Sequence, residues 1–347
     1  MNLSTSFERL ELDLEFPFTI ARGTTETTET LVVEIEDGDG RVGVGAAGPS
    51  AHYGETPDTV AAVLPALLDV VEEVSDPHNQ QRIERLMRET VARNPAARTA
   101  VSIAVHDLAA KRTGLPLYRY WGLDPAETVT TSYTIGIDDP ERMAEKTELA
   151  RERGYDLLKV KLGTDRDLEM LDAVRTAHPD ATIRVDANEA WTPREAVRKI
   201  ERLTDYGVEF VEQPVPAEIP EGLRFVHERS ALPIAADESL ITLDDVPQVA
   251  DRVDVANLKL MKTGGLREAK RIIHAARAQG LEVMLGCMSE SNASIAAGAH
   301  LAPLLDHADL DGSLLLDDDP YDGVPMPGGK IALADVERAG TGVVRRD

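Results

Sequence analysis

From Thr128 onward the apolar residues fall into short runs that recur along the chain. The runs are Val129–Ile137, Leu157–Leu162, Thr182–Asp186, Val208–Glu212, Pro233–Asp237, Val255–Leu260, Leu281–Gly286 and Ala308–Asp311. Each reads as a short strand, and Pro233–Ala236 shows the continuous apolar character that a strand buried on both faces requires. Most are separated by stretches of amphipathic helical spacing, such as Pro193–Tyr206 and Leu266–Gln279. Eight such units at about 25 residues each predict an α/β fold, a TIM-type (β/α) barrel.

The first part of the chain has another rhythm. Leu31–Ile35 and Val42–Gly45 read as strands joined by Asp37-Gly38-Asp39-Gly40, a hairpin turn. Phe18–Gly23, just before them, reads as a loop. Helical periodicity follows over Thr56–Val74, Asn79–Arg93 and Ala96–Arg112. The expected organisation is an α+β capping domain over 1–125 and a barrel catalytic domain over 126–315. A C-terminal segment over 316–347, rich in Gly and Pro, is expected to return to the cap. Gly43-Val44-Gly45-Ala46-Ala47-Gly48 matches G-x-G-x-x-G. Pro49, Ser50 and Gly54 delay the next helix to about Thr56, so a closely packed hairpin strand is expected there, not a dinucleotide site.

Three of the barrel runs end in an acid: Asp186, Glu212 and Asp237, spaced 26 and 25 residues apart. A buried carboxylate is costly unless it is paired or bound to a metal. Taken singly, each would be an ordinary cap or solvated charge. Together with Lys159 and Lys161 one run earlier and Lys259 one run later, they mark the C-terminal ends of five successive strands, where barrels carry their chemistry. The chain has only nine lysines, none before Lys111, so lysines inside apolar runs are not a consequence of composition. Strands 2 and 6 of such a barrel face each other, with strands 3 to 5 on the arc between them. Three carboxylates suit Mg²⁺, and no Cys/His cluster favours zinc. A lysine acting as a base must be neutral near pH 7, which takes about 4 kcal/mol. Lys159 and the cation would push Lys161 in that direction. Bases on both sides of one carbon permit racemisation or epimerisation beside a carboxylate.

Charge and composition narrow the classes. The formal net charge is −25, with 62 acidic and 37 basic residues. Nucleic acid and anionic membranes are excluded as partners, and the dispersed acid excess suits high salt, as in an acidic proteome. Cys287 is the only cysteine, so no intrachain disulfide forms. No run approaches the roughly 20 apolar residues of a membrane span. Met1–Glu15 lacks the pattern of a signal peptide, and a soluble cytoplasmic protein is expected. His106, His274 and His300 fall on predicted helices and read as structural. His52 and Tyr53 fall in a loop and stay candidates.

The sequence resembles the enolase superfamily, specifically its muconate-lactonising-enzyme subgroup, over nearly its whole length. The resemblance rests on Ala104–Lys111 with Gly114-Leu115-Pro116-Leu117, on Leu158-Lys159-Val160-Lys161 and Val185-Asp186-Ala187-Asn188, and on Glu212-Gln213-Pro214, Asp237-Glu238-Ser239 and Asn257–Gly265. It implies Mg²⁺ on Asp186, Glu212 and Asp237, with Lys161 and Lys259 as the acid/base pair and Lys159 assisting. Lys262 matches a less critical lysine. Asn188 and Glu238 would support the metal ligands. Asp309-Leu310-Asp311 resembles the D-x-D that binds the ammonium group of a dipeptide in dipeptide epimerases. Phe18–Thr24 and Ala51–Glu55 resemble the loops that close over substrate, which brings in Arg22 and Tyr53; these stretches look closest to those of Ala-Glu epimerases. In some epimerases the arginine of the first loop falls one residue later, where this chain has Gly23. The implied function is Mg²⁺-dependent dipeptide epimerisation through an enediolate. Alternatives are a muconate-type cycloisomerase or o-succinylbenzoate synthase with the same chemistry, and more distantly a nicotinamide oxidoreductase or a non-catalytic binding protein. The expected partner is a small molecule, and a homo-oligomer is allowed.

Overall fold

The computed structural model describes residues 2–346. Met1, the start of the N-terminal stretch, and Asp347, the end of the C-terminal segment, lie outside the described residues. The N-terminal layer is an antiparallel sheet of β1 (Leu3–Ile20), β2 (Gly23–Asp37) and β3 (Val42–Ala47). Phe18, Thr19 and Ile20 are therefore not a loop. They continue β1, paired with Thr25, Thr24 and Gly23, and only Ala21 and Arg22 form the turn. The signal for β1 was the alternation Leu10, Leu12, Leu14, Phe16, Phe18. Pro17 masks it, since it cannot donate to a ladder, and the register shifts between Asp13 and Phe18.

Three helices cover this sheet: α1 (Pro57–Val74), α2 (Gln80–Thr90) and α3 (Pro95–Thr113). A Cβ on Gly43 or Gly45 would stand 2.2 Å from the Ala104 carbonyl oxygen or 2.3 Å from that of Ala100. These glycines let strand β3 lie directly on α3, so they serve packing and open no phosphate-binding helix. The other side of α3 docks on the barrel, where Thr99 Oγ1 donates to the Leu260 carbonyl at 2.6 Å.

The barrel has eight parallel strands in sequential order: β4 (Tyr133–Ile135), β5 (Leu157–Lys161), β6 (Thr182–Asp186), β7 (Val208–Glu212), β8 (Ile234–Ala236), β9 (Val255–Lys259), β10 (Glu282–Gly286) and β11 (His307–Asp309). A parallel bridge between Thr131 and Ala308 brings the two edges together. Local chemistry agrees with the topology. The helix Pro193–Leu203 starts with Pro at its first position and a reciprocal cap between Thr192 and Glu195. Phe210, Ala235, Val255 and Met284 fill the interior beneath the strand ends, so the barrel has a packed floor and its open end faces the cap.

The C-terminal segment touches both layers. Leu316 bridges to Leu14 and Gly340 to Pro116 in the cap, and Lys330 bridges to Thr130 at the start of the barrel. His300, fully buried, joins three parts of the chain. Its Nδ1 accepts from the Tyr118 backbone N–H at 3.1 Å, which leaves Nε2 to donate to the Thr341 carbonyl at 3.0 Å. That geometry needs the neutral ring, and burial pushes its pKa down from 6.5 to about 4. A folded-state value below the unfolded one means the unfolded chain binds the proton more readily. The stabilisation is therefore complete above pH 6.5 and is lost as pH falls towards 4, on the order of 3 kcal/mol in all. The difference in thermal midpoint between the wild type and His300→Asn should shrink over that interval; a constant difference would refute this role.

Candidate active site

Strand register assembles the site. Lys161 on β5 is level with Asp186 on β6, and Asp186 with Glu212 on β7. Glu212 is level with Ala235 on β8. Asp237, two residues past Ala235, points the same way, because side chains two apart share a face. On the opposite wall Lys259, Gly286 and Asp309 form a second level row on β9, β10 and β11. Five charged side chains from Lys161 to Lys259 thus meet at one end of the barrel, although up to 98 positions separate them in the chain.

The acids and lysines pair closely. Lys159 Nζ lies 2.8 Å from Glu212 Oε2, 3.1 Å from Asp186 Oδ2 and 2.8 Å from Asp309 Oδ2. Lys161 Nζ donates to Asp186 Oδ2 at 2.6 Å, and Lys259 Nζ to Asp237 Oδ2 at 2.7 Å. Asp237 is also gripped by Lys262, which donates to its Oδ1 at 2.6 Å and its carbonyl at 2.7 Å. Asn257 Nδ2 donates to Glu212 Oε1 at 2.9 Å. A Cβ on Gly286 would stand 2.9 Å from Asn257 Oδ1 and 3.1 Å from Lys259 Cε. Only glycine there leaves room for both side chains.

Burial and charge set the protonation. Burial works to raise the Asp186 carboxyl, but Lys161 and Lys159 outweigh it and hold it well below the usual range. The same contest at Asp237, against Lys259 and Lys262, ends the same way. Glu212 is pushed up to about 8 by burial and by Asp186. Lys259, expected as one of the two bases, is not depressed, and neither is Lys159. Burial lowers both, yet Asp309 and Glu212 raise Lys159, and Asp237 raises Lys259, so both end well above the ordinary value. A divalent cation on the same carboxylates would oppose that pull.

The carboxylate set fits such a cation. Asp186, Glu212 and Asp237 each offer an oxygen, all within 4.8 Å of one another and all buried. Glu212 Oε2 has no hydrogen bond aligned on it. An all-oxygen set with space on its open side suits Mg²⁺. Behind it, the Asn188 N–H donates to Asp186 Oδ1 at 2.8 Å, and Asn188 Nδ2 reaches Glu238 Oε1 at 3.3 Å. His52, Glu189 and Glu238 form a second close group, but Arg22 already holds both of its carboxylates.

Above the strand ends lies a cleft of about 1100 Å³, the solvent at its mouth included. Arg22 and Tyr53 from the cap line it, as do Lys159, Lys161, Lys259, Asn188, Asp309 and Asp311 from the barrel. The structure therefore brings Arg22 and Tyr53 to the same cleft as the lysines. Asp309 and Asp311 differ there. Asp309 is engaged by Lys159 and by Ser132 Oγ at 2.6 Å, and Lys159 holds its carboxyl down against burial. Asp311 accepts from the Thr134 N–H at 2.6 Å; burial and Asp309 push it up to about 7. Sequence reasoning gave no role to Asn257 or Glu189 and underrated Lys262. Asn257 had a signal, a polar residue two before Lys259 in an apolar run. Glu189 had none.

The comparisons agree with this geometry. Residues 142–345 match the enolase C-terminal domain-like family, and residues 5–122 match the mandelate racemase / muconate lactonizing enzyme N-terminal domain. The L-Ala-D/L-Glu epimerase of Bacteroides thetaiotaomicron is 39% identical, over 99% of this chain and 88% of that one. The hydrophobic dipeptide epimerase of Enterococcus faecalis is 38% identical, over 96% of each. A crystal structure of the dipeptide epimerase of Enterococcus faecalis, complexed with Mg and L-Leu-L-Tyr, superposes with a TM-score of 0.92 at 36% identity, covering 99% of this chain and 100% of that one. The chain belongs to the enolase superfamily, in its mandelate racemase / muconate lactonizing enzyme group.

Proposed function

We propose that the chain is a Mg²⁺-dependent dipeptide epimerase that inverts the carbon next to the substrate carboxylate. The observation that carries this is the placement of Lys161 and Lys259 on opposite walls of one carboxylate cluster. Asp309 and Asp311 on the far side of Lys159 add a matching anion pair for an ammonium group. A dipeptide offers the complementary layout, a carboxylate at one end and an ammonium at the other. Its length from carboxylate to ammonium then fixes the reacting carbon between the two lysines.

Mg²⁺, when bound by Asp186, Glu212 and Asp237, supplies positive charge that stabilises the substrate carboxylate as it gains electron density. Lys161 Nζ and Lys259 Nζ then exchange roles: one takes the α-proton on its side, and the other delivers a proton from the opposite side. Lys159 lends a further positive charge between the metal carboxylates and Asp309. Lys262 and Asn257 hold Asp237 and Glu212 in place. Asp311, whose carboxylate has no lysine paired to it as Asp309 has Lys159, is the principal contact for the ammonium group. The cap residues Arg22 and Tyr53 close the cleft and exclude water. The reaction belongs in the cytoplasm on this reading, and the chain's acid excess is an adaptation to high ionic strength.

Three measurements test this. In D₂O, L,L-dipeptides should gain deuterium at the carboxyl-terminal α-carbon, and a set of dipeptides showing no exchange would remove the reading. Lys161→Ala and Lys259→Ala should each lower epimerisation by about a thousandfold or more; unchanged turnover in either would defeat the two-base scheme. Chelation should abolish activity and added Mg²⁺ restore it, with Asp237→Asn and Glu212→Gln weakening Mg²⁺ affinity in calorimetry. The thermal midpoint should also rise by about 5 °C or more between low and molar KCl, and a flat response would count against the salt adaptation.

A further inference from the structure

The cap offers one charged side chain to the reacting end of the cleft, Arg22 at the tip of the β1–β2 hairpin. Its surroundings decide what it can do. Arg22 Nη1 donates to Glu238 Oε1 at 2.8 Å, to Glu189 Oε2 at 3.3 Å and to the Asn188 carbonyl at 3.3 Å. All three partners belong to loops that follow barrel strands β6 and β8. Glu189 is itself fixed from two further directions. Its Oε1 accepts from the Ala217 N–H at 2.8 Å, and His52 Nε2 of the second cap loop lies 3.5 Å from its Oε2. Burial and the neighbouring Arg22 lower the His52 pKa, which favours the neutral ring. The backbone at this junction is strained, with φ of +41° at Asn188 and +70° at Glu189. Such values persist in non-glycine residues only where the surroundings hold them. Two cap loops and the loops after β6 and β7 therefore converge on Glu189.

Charge counting follows. One guanidinium faces two carboxylates. The remaining cap wall beside it is uncharged: Phe18, Ile20, Ala51 and Tyr53. In the epimerase reading the substrate carboxylate lies on Asp186, Glu212 and Asp237, and the ammonium lies across the barrel. The side chain on the reacting carbon must then leave upward, towards this wall, because the barrel below is packed. A carboxylate arriving there would be a third anion around one cation. We infer that Arg22 is a strap between cap and barrel and not an anion receptor, so the enzyme acts on dipeptides whose carboxyl-terminal residue is uncharged and selects against acidic ones. This rests on the epimerase reading and names its substrate class. Glu189 is the positioning residue that holds the strap.

The test compares L-Ala-L-Gln with L-Ala-L-Glu, which match in size and differ in charge. With the Mg²⁺-loaded enzyme, kcat/KM should favour L-Ala-L-Gln by about tenfold or more. Equal rates, or a preference for L-Ala-L-Glu, would overturn the inference while leaving the epimerase reading intact. If neither these nor apolar dipeptides exchange the α-proton with D₂O, both fall. Glu189→Gln should raise the Glu-to-Gln ratio by releasing part of the guanidinium, whereas a merely structural role would lower both substrates together and leave the ratio fixed. Should that variant fail to fold, the wild-type comparison decides alone.

Discussion

Three carboxylates buried side by side cannot stand in a protein interior without positive charge. Asp186, Glu212 and Asp237 sit at neighbouring strand ends with oxygens within 4.8 Å of one another, and their mutual repulsion is large in a low-dielectric site. Everything around them answers that repulsion. Lys159, Lys161, Lys259 and Lys262 each reach at least one of the three. Asn257 adds an uncharged donor to Glu212 Oε1, the oxygen that Lys159 also reaches. Even Gly286 belongs to this arrangement, since a larger residue would displace Asn257 and Lys259. Groups that serve stability in this way are the same groups that a proton-transfer reaction needs, because both demands ask for fixed charge beside a carboxylate.

The barrel and the cap divide the work for a physical reason. A closed parallel barrel fixes side chains by register, so distances among Lys161, Asp186 and Glu212 follow from the hydrogen-bond ladder and are rigid. Register offers little freedom to shape a pocket for a variable side chain. The hairpin turn at Ala21–Arg22 and the loop Ala51–Tyr53 supply that freedom, and they are tethered to the barrel only at a few points. Glu189 is the main one. Its unusual backbone shows that the tether is imposed by the surroundings and not by local preference.

The acid and lysine positions were legible in the sequence because each interrupts an apolar run at one period, and a barrel converts that period into adjacency. The eight strands were legible for the same reason. β1 was less legible because Pro17, which cannot donate to a ladder, interrupts its period-two alternation. The direction of the Lys259 pKa shift was not legible, because it depends on Asp237 lying 2.7 Å from its Nζ. Which partner wins among several charges within 4 Å is a matter of tenths of an ångström, and spacing along a chain carries no such information.

The sequence alone therefore determined the fold class, the composition of the buried acid and lysine cluster, and the family, since these depend on periodicity and residue type. Tertiary structure decided the rest. It paired Asp311 and Asp309 with different neighbours, although they are two residues apart. It brought Lys262 and Asn257 onto the carboxylates. It tied Arg22 to Glu189 and Glu238 across 167 and 216 positions, and so changed the meaning of the cap cation that lines the cleft. Long-range contacts between loops obey no repeat, and for that reason only the folded chain could reveal them.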